Sequence, residues 1–151
     1  MYSFSVTQFF SSSVIKKNVA TGLNNLKIYK LSEELELKVH NFTRDFPNDE
    51  RFRSVDQIRR SSSAVTSNIA EAYKKQSLKE QLHILQSIAV CEAEETMSNL
   101  LRCGKKSLCD LETANKMAEE YLGLIKAIQG YIRFLKKGAS IEHTPKAPFK
   151  D

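Results

Sequence analysis

The chain has 151 residues, with 23 Lys and Arg against 18 Asp and Glu, so its formal net charge is +5. Its five glycines and three prolines make up about 5% of the chain against a usual 12% or so, which leaves too few turn residues for a sandwich or barrel of many short strands. The 41% apolar residues argue against a fully disordered chain, and the length is typical of one domain.

The first 24 residues differ from the rest because they mix aromatic residues such as Phe4, Phe9 and Phe10 with serines. They do not read as a secretory signal, since no positive charge precedes an unbroken apolar run. We expect residues 1–24 to be a flexible extension that is ordered only against a partner. A start codon assigned too far upstream in a bacterial gene is the alternative.

No apolar run approaches the ~20 residues of a membrane span, so we expect no membrane association. Cys91, Cys103 and Cys109 are odd in number and lack C-x-x-C spacing. We therefore expect reduced, partly buried thiols and a cytoplasmic protein.

The first predicted helix has apolar residues at steps of three and four, which places them on one helical face. They are Ile28, Leu31, Leu35, Val39, Phe42 and Phe46. Pro47 pushes the preceding residue out of α geometry, so this helix should end near Phe46.

Two capping boxes, at Ser54 and Ser77, predict the starts of the second and third helices. The second should run to about Lys75, and the third should end with Gly104 as its left-handed C′ residue. The expected inward residues are Val55, Ile58, Ser62, Val65, Ile69 and Tyr73, followed by Leu82, Leu85, Ala89, Thr96, Leu100 and Cys103.

Asp110 can cap a fourth helix, which Gly138 should close. Its inward stripe is Ala114, Met117, Tyr121, Ile125, Ile128, Ile132 and Leu135. Short connections make neighbouring helices antiparallel, so the expected fold is an all-α, up-down four-helix bundle over residues 25–137. Residues 138–151, with Pro145 and Pro148, should form a flexible tail.

Three short motifs in order and at matching spacing resemble the 23S rRNA-intervening sequence protein family. They are Phe46–Phe52 (FPNDERF), Gln57–Arg60 (QIRR) and Ser67–Ala72 (SNIAEA), against approximate family patterns F-P-x-x-E-R-F, Q-x-R-R-A and S-x-N-I-A-E-G, the last of which aligns through its N-I-A-E part. Including helix order, the match spans roughly residues 26–135. Ala72 stands where the family usually has Gly, and Cys91-Glu92 replaces a small Gly-Ser pair, as in a diverged member.

The resemblance implies small helical bundles that assemble into rings, commonly pentamers. Some members are encoded within intervening sequences of bacterial large-subunit rRNA genes. A related branch, the accessory variability determinants of diversity-generating retroelements, works with a reverse transcriptase and nucleic acid. The implied partners are thus further copies of the chain, with a pentamer favoured, together with nucleic acid and a reverse transcriptase.

The charge is unevenly distributed, because residues 51–79 hold seven basic and two acidic side chains and so equal the net charge of the whole chain. The basic residues are Arg51, Arg53, Arg59, Arg60, Lys74, Lys75 and Lys79. They are candidates for binding phosphate backbones. The alternative is that they provide solubility and salt bridges between helices of opposite charge. No base-stacking aromatic motif is evident, so sequence-specific recognition is not supported.

A second, polar face of helix two contains Gln57, Arg60, Asn68 and Glu71. Asn is a poor residue within a helix, and Glu71 follows one turn later. We interpret this face as a polar network or subunit interface, with a nucleic-acid or ligand contact as the alternative.

Catalysis and metal binding receive little support from the motifs. Glu80 and His83 have the E-x-x-H spacing of di-iron bundles, but those sites need a second such motif and two further glutamates. Neither His40 nor His143 lies at zinc-ligand spacing. We therefore expect no enzyme activity, metal or cofactor.

Two functions remain open at this point. The first is a homo-oligomeric bundle that binds RNA or DNA electrostatically through helix two. The second is a protein-interaction adaptor, such as an accessory subunit that docks a reverse transcriptase or another nucleic-acid enzyme.

Overall fold

The computed structural model describes residues 22–142, and within this range no residue forms a β-strand. Helix α1 spans Lys27–Phe42, and α2 spans Asp56–Lys74 after a π-helical turn at Arg51–Val55. Helix α3 is continuous through Leu78–His83, a π-helical turn at Ile84–Ala89, and Val90–Lys105. Helix α4 spans Leu111–Glu142. Short 3₁₀ turns lie at Leu23–Asn25, Thr43–Asp45 and Asn48–Glu50.

The four helices form the predicted antiparallel up-down bundle. Each helix packs against the next in the chain, and α1 also contacts α4. Lys38 on α1 reaches Glu120 on α4 at 3.2 Å, and the hydroxyls of Thr96 on α3 and Ser61 on α2 are hydrogen-bonded at 2.7 Å. We call the end where α1 finishes and α2 begins the upper end, and the opposite end the lower end. Most of the predicted extension, residues 1–21, and the last nine residues lie outside the described part.

The core follows the predicted apolar faces. The largest fully buried side chains include Leu35, Ile58, Ile69, Leu100 and Tyr121. Tyr73 is the exception, because its side chain is 41% exposed although the helical spacing predicts an inward position. Tyr73 lies in the last turn of α2, where the ring reaches past the core toward Gly22.

The start of α2 differs from the prediction of a cap at Ser54. The chain passes from the 3₁₀ turn at Asn48–Glu50 directly into the π-helical turn, so Ser54 already lies inside the helix. Its buried hydroxyl donates to Glu50 Oε2 at 2.6 Å. The serine therefore bonds one turn back and does not cap free N–H groups. At the other side of the corner, α1 stops at Phe42, and Phe46 takes the extended conformation expected before Pro47.

The end of α3 also differs from its prediction, because Gly104 lies within the helix and Ser107 takes the left-handed conformation with φ 58°. The N–H of Ser107 donates to the Gly104 carbonyl and that of Leu108 to the Cys103 carbonyl, both at 3.1 Å. These two bonds form a Schellman motif. Gly104 is instead needed for packing, since a Cβ there would lie 2.9 Å from Leu111 Cδ1 and 3.1 Å from Ala114 Cβ.

The caps of α3 and α4 are confirmed. The Ser77 side chain accepts from the Glu80 N–H, and Asp110 Oδ2 accepts from the Thr113 N–H at 3.0 Å. Gly138, however, does not close α4, which continues to Glu142. The helix is already long at this point, and one exposed glycine costs too little to end it.

Within residues 22–142 no helix combines the length and apolar character needed to cross a membrane.

Candidate nucleic-acid interface

The seven predicted cations of residues 51–79 do not form one surface. Arg51, Arg53, Arg59 and Arg60 lie at the upper end of the bundle, whereas Lys74, Lys75 and Lys79 lie at the lower end. From Arg53 to Lys74 the helix rises about 30 Å. A segment that is continuous in sequence is therefore divided between opposite ends of the molecule.

Arg59 is held by α1 and is not a free cation. Its Nε donates to Thr43 Oγ1 at 2.8 Å, and its Nη2 donates to the His40 carbonyl at 3.2 Å. Thr43 is buried and donates to the Val39 carbonyl. The guanidinium thus satisfies carbonyl and hydroxyl groups where α1 ends, which is a structural role.

The other predicted cations are more available. Lys75 pairs with Glu71 at 3.5 Å, and the Arg51 guanidinium lies 5.6 Å from the centre of the exposed Phe52 ring. Among the residues that the structure describes, the side chains of Arg60, Lys74 and Lys79 form neither hydrogen bonds nor ion pairs.

The polar face of α2 does not form the expected bond between Asn68 and Glu71 within one chain. The Asn68 amide donates to the Ala64 carbonyl at 2.7 Å, one turn back, while Glu71 pairs with Lys75. This local bond explains how the helix accommodates an asparagine. Gln57 and Arg60 are exposed, and the interpretation of this face as a subunit interface stays a prediction.

The lower end is the more basic end once all four helices are considered. The antiparallel topology brings together the first turn of α1 (residues 27–30), the α2–α3 connection (71–80) and a late turn of α4 (133–137). These three segments carry eight basic and two acidic side chains. The basic ones are Lys27, Lys30, Lys74, Lys75, Lys79, Arg133, Lys136 and Lys137.

Unlike the lower end, the upper end is nearly balanced in charge, and the middle of the bundle is acidic. The upper end (residues 44–60 and 102–112) has eight basic side chains against six acidic ones. The middle, which we call the waist, comprises residues 33–38, 61–70, 92–95 and 116–126. It has eight acidic side chains against three basic ones, and Lys38 is already paired with Glu34 and Glu120.

Aromatic side chains also gather at the lower end, which the sequence reasoning missed. The Tyr131 and Phe134 rings of α4 stack with centroids 6.2 Å apart and an angle of 21° between their planes. Phe134 is 69% exposed. Burial raises the pKa of Tyr131, and the nearby Tyr73 at the end of α2 raises it further. The available signal was an aromatic pair three residues apart among lysines near the end of helix four.

The thiols and the E-x-x-H pair show no reactive arrangement. Burial raises the pKa of the Cys103 thiol, and burial raises that of Cys109 to about 11. Cys91 is exposed, contrary to the expectation of partial burial. Glu80 and His83 both point into solvent. Between residues 22 and 142 no three His, Cys, Asp or Glu side chains cluster closely enough to hold a metal ion.

Comparison with known proteins gives a family match and a structural match. The family model described as "23S rRNA-intervening sequence protein" matches residues 24–130. The chain is also similar to the crystal structure of a protein with unknown function from the S23 ribosomal protein family of Bacteroides thetaiotaomicron. The TM-score is 0.63 and the identity 24%, over 70% of this chain and 97% of the other. No curated protein matches the chain.

Proposed function

We infer that this chain, which belongs to the 23S rRNA-intervening sequence protein family, is a non-enzymatic homo-oligomeric helical bundle that binds nucleic acid electrostatically. The binding surface is the lower end. The observation that carries this proposal is the excess of eight basic over two acidic side chains there. The phosphate backbone of a double-stranded or single-stranded nucleic acid releases counterions when Lys and Arg neutralise it. The affinity therefore grows with the number of cations in contact.

The family motifs support a fold more directly than a chemistry. Phe46 is buried in the core, Glu50 accepts from Ser54, and Arg59 holds the end of α1. The first two motifs therefore build the α1–α2 corner. The binding residues of the proposal lie elsewhere, on the free cations that surround the ends of α2 and α4.

The test is binding of a structured RNA by fluorescence anisotropy at several salt concentrations. The double variant Lys136→Glu, Lys137→Glu should lose at least about tenfold in affinity and show a flatter dependence on salt, because fewer counterions are released. The matched control is Arg44→Glu, Arg53→Glu, which reverses two exposed cations at the upper end. Arg59 stays unchanged because it supports the fold.

Absence of binding at low salt would overturn the proposed function. A larger loss in the upper-end control than in the lower-end variant would move the binding surface to the upper end.

We also propose that the chains self-associate in a ring, with a pentamer favoured by the family resemblance. Leu37 on α1 is 64% exposed and Leu122 on α4 is 41% exposed, and large apolar side chains in such positions suit contacts between copies. A ring would repeat the lower end by symmetry, so several weak contacts would combine. Light scattering that shows a monomer at micromolar concentration would contradict this part of the proposal.

A second candidate function is an adaptor that docks a reverse transcriptase. It is favoured by Phe52, whose ring is 85% exposed at the upper end and lies beside Arg51. An exposed aromatic ring next to a guanidinium is a common anchor in protein interfaces. Co-purification with the reverse transcriptase of a diversity-generating retroelement, lost on Phe52→Ala, would favour this function. Unchanged co-purification would exclude Phe52 as the anchor.

A further inference from the structure

Phe134 is an exposed aromatic ring whose helical neighbours leave it uncovered. The positions one turn away on the same face, i−4 and i+4, are Gly130 and Gly138, so no side chain from these positions lies over the ring. At i−3 lies Tyr131, which stacks against Phe134, and at i+3 lies Lys137. The ring is thus supported from one side and open to solvent elsewhere.

Packing does not require glycine at either flanking position. A Cβ at Gly138 would meet nothing within 4 Å, and one at Gly130 would meet only Arg133 Nη2 at 3.7 Å. Both residues lie inside α4, where glycine is less favourable than alanine. This contrasts with Gly104, whose missing Cβ allows α3 and α4 to approach. Gly130 and Gly138 lie one turn before and one turn after Phe134, so the space on either side of the exposed ring is left open.

We propose that Phe134 is a stacking platform for an unpaired base and that the lower end consequently prefers single-stranded nucleic acid to duplex. This inference rests on the proposed function, and it specifies the form of the ligand. Single strands present the flat faces of their bases, which stack on aromatic side chains while Lys and Arg follow the backbone. In a duplex those faces are stacked on one another and inaccessible.

The charges around the ring suit such a strand. Lys137 lies one turn along the same face, and Lys136 is on the same turn of α4. The free Lys74 ends α2, next to Tyr73, whose side chain is 41% exposed. Tyr73 lies close enough to Tyr131 to contribute, after burial, to the raised pKa of that residue. The lower end therefore combines aromatic surface with cations on two helices.

The experiment compares a fluorescent single-stranded oligonucleotide with a duplex of the same sequence, at low salt, using the full chain. Phe134→Ala should weaken single-strand binding about tenfold, which corresponds to about 1.4 kcal/mol of lost stacking, and should leave duplex binding unchanged. The slope of affinity against salt should also stay unchanged, because no cation is removed. Phe134→Trp should retain single-strand binding.

The matched control is Phe52→Ala, which removes a ring that is more exposed but lies at the upper end. Both rings are exposed, so thermal unfolding should show that both variants fold. Equal binding of the two nucleic acids by the parent protein, or an unchanged preference in Phe134→Ala, would overturn the inference while leaving the proposed function intact. Absence of binding to either nucleic acid would overturn both.

A change of oligomeric state in Phe134→Ala, measured by light scattering without any change in the single-strand preference, would show that a second copy of the chain covers the ring. That result would also overturn the inference.

Discussion

Ser107 occupies the left-handed region of backbone conformation, with φ 58°, and among residues 22–142 it is the only residue other than glycine to do so. For an L-residue this conformation costs on the order of 1 kcal/mol. The two hydrogen bonds of the Schellman motif at the end of α3 keep the serine there. The connection between α3 and α4 therefore has the hydrogen bonds of a Schellman motif, but its left-handed position holds a serine, which is less suited to it than glycine.

Ser107→Gly should raise the free energy of unfolding by about 1 kcal/mol, because glycine adopts the left-handed conformation without the Cβ clash. Urea denaturation measures the change. Ser67→Gly is the matched control, since Ser67 is exposed within α2 and glycine there should lower stability by about 0.5 kcal/mol. A loss of stability in Ser107→Gly would contradict the assignment of this residue as the αL position.

Sequence patterns predict most core residues, but they assign the wrong local role to two glycines and one serine. The sequence pattern predicts a helix end at both Gly104 and Gly138, because capping is a common reason for a glycine after an apolar stripe. The packing reason at Gly104 depends on Leu111 and Ala114, which come close only when α4 folds back. At Ser54, the serine and glutamine spacing of a capping box was present, but the helix had begun earlier.

At the scale of elements, specific polar and aromatic contacts hold the α1–α2 corner together. The Phe42 and Phe46 rings pack edge to face with centroids 5.4 Å apart. Arg59 links α2 to Thr43 and to the His40 carbonyl, and Ser54 links the π-helical turn to Glu50. Hydrophobic periodicity predicted both helices. It carries no information on the π-helical turn or on the bonds of the half-buried arginine.

Arg59→Ala should lower the free energy of unfolding by about 2 kcal/mol, because it removes charge-assisted hydrogen bonds and leaves the buried Thr43 hydroxyl with one partner fewer. Arg60→Ala is the control, since Arg60 is exposed and the change should stay within about 0.5 kcal/mol. Chemical denaturation of the two variants checks the difference. Equal stabilities would show that the contacts of Arg59 contribute nothing to the corner.

At the scale of the whole molecule, the arrangement of charge could not be obtained from the sequence alone. Residues 51–79 form one basic segment in the chain, but α2 carries its two groups of cations to opposite ends of the bundle. The lower end gains five further basic side chains from α1 and α4, which are distant in sequence from residues 51–79. The sequence is enough to count the charge of each segment. Only the fold shows that the seven cations of residues 51–79 do not form one continuous surface.

Stability should fall in acid, because carboxylates in the upper half accept hydrogen bonds that hold their pKa below the ordinary range. Hydrogen bonds from Thr113 lower the pKa of Asp110, and the Ser54 hydroxyl lowers that of Glu50. A carboxyl group with a lowered folded-state pKa stabilises the protein fully above its unfolded pKa, about 3.8 for Asp. That contribution is lost as the pH falls through the folded-state value.

Asp110→Asn should keep the cap of α4, since asparagine also accepts from the N–H groups of a first turn. Because the variant has no carboxyl group at position 110, it should lose less stability than the parent between pH 7 and pH 3. Urea denaturation at the two pH values measures the difference. Identical losses in the two proteins would show that the Asp110 carboxylate has no part in the acid sensitivity.

Under the proposed function, the acidic waist would limit the length of nucleic acid that one chain can bind. A strand bound at the lower end as proposed should not continue along the side of the bundle, because the eight carboxylates of the waist would repel its phosphates. The footprint per chain is therefore set by the width of the bundle end, about two helix diameters or 20 Å. Short oligonucleotides should therefore be long enough to fill the lower end of one chain. In the proposed ring, affinity should rise further with strand length only in steps, each time the strand becomes long enough to reach the lower end of a neighbouring copy.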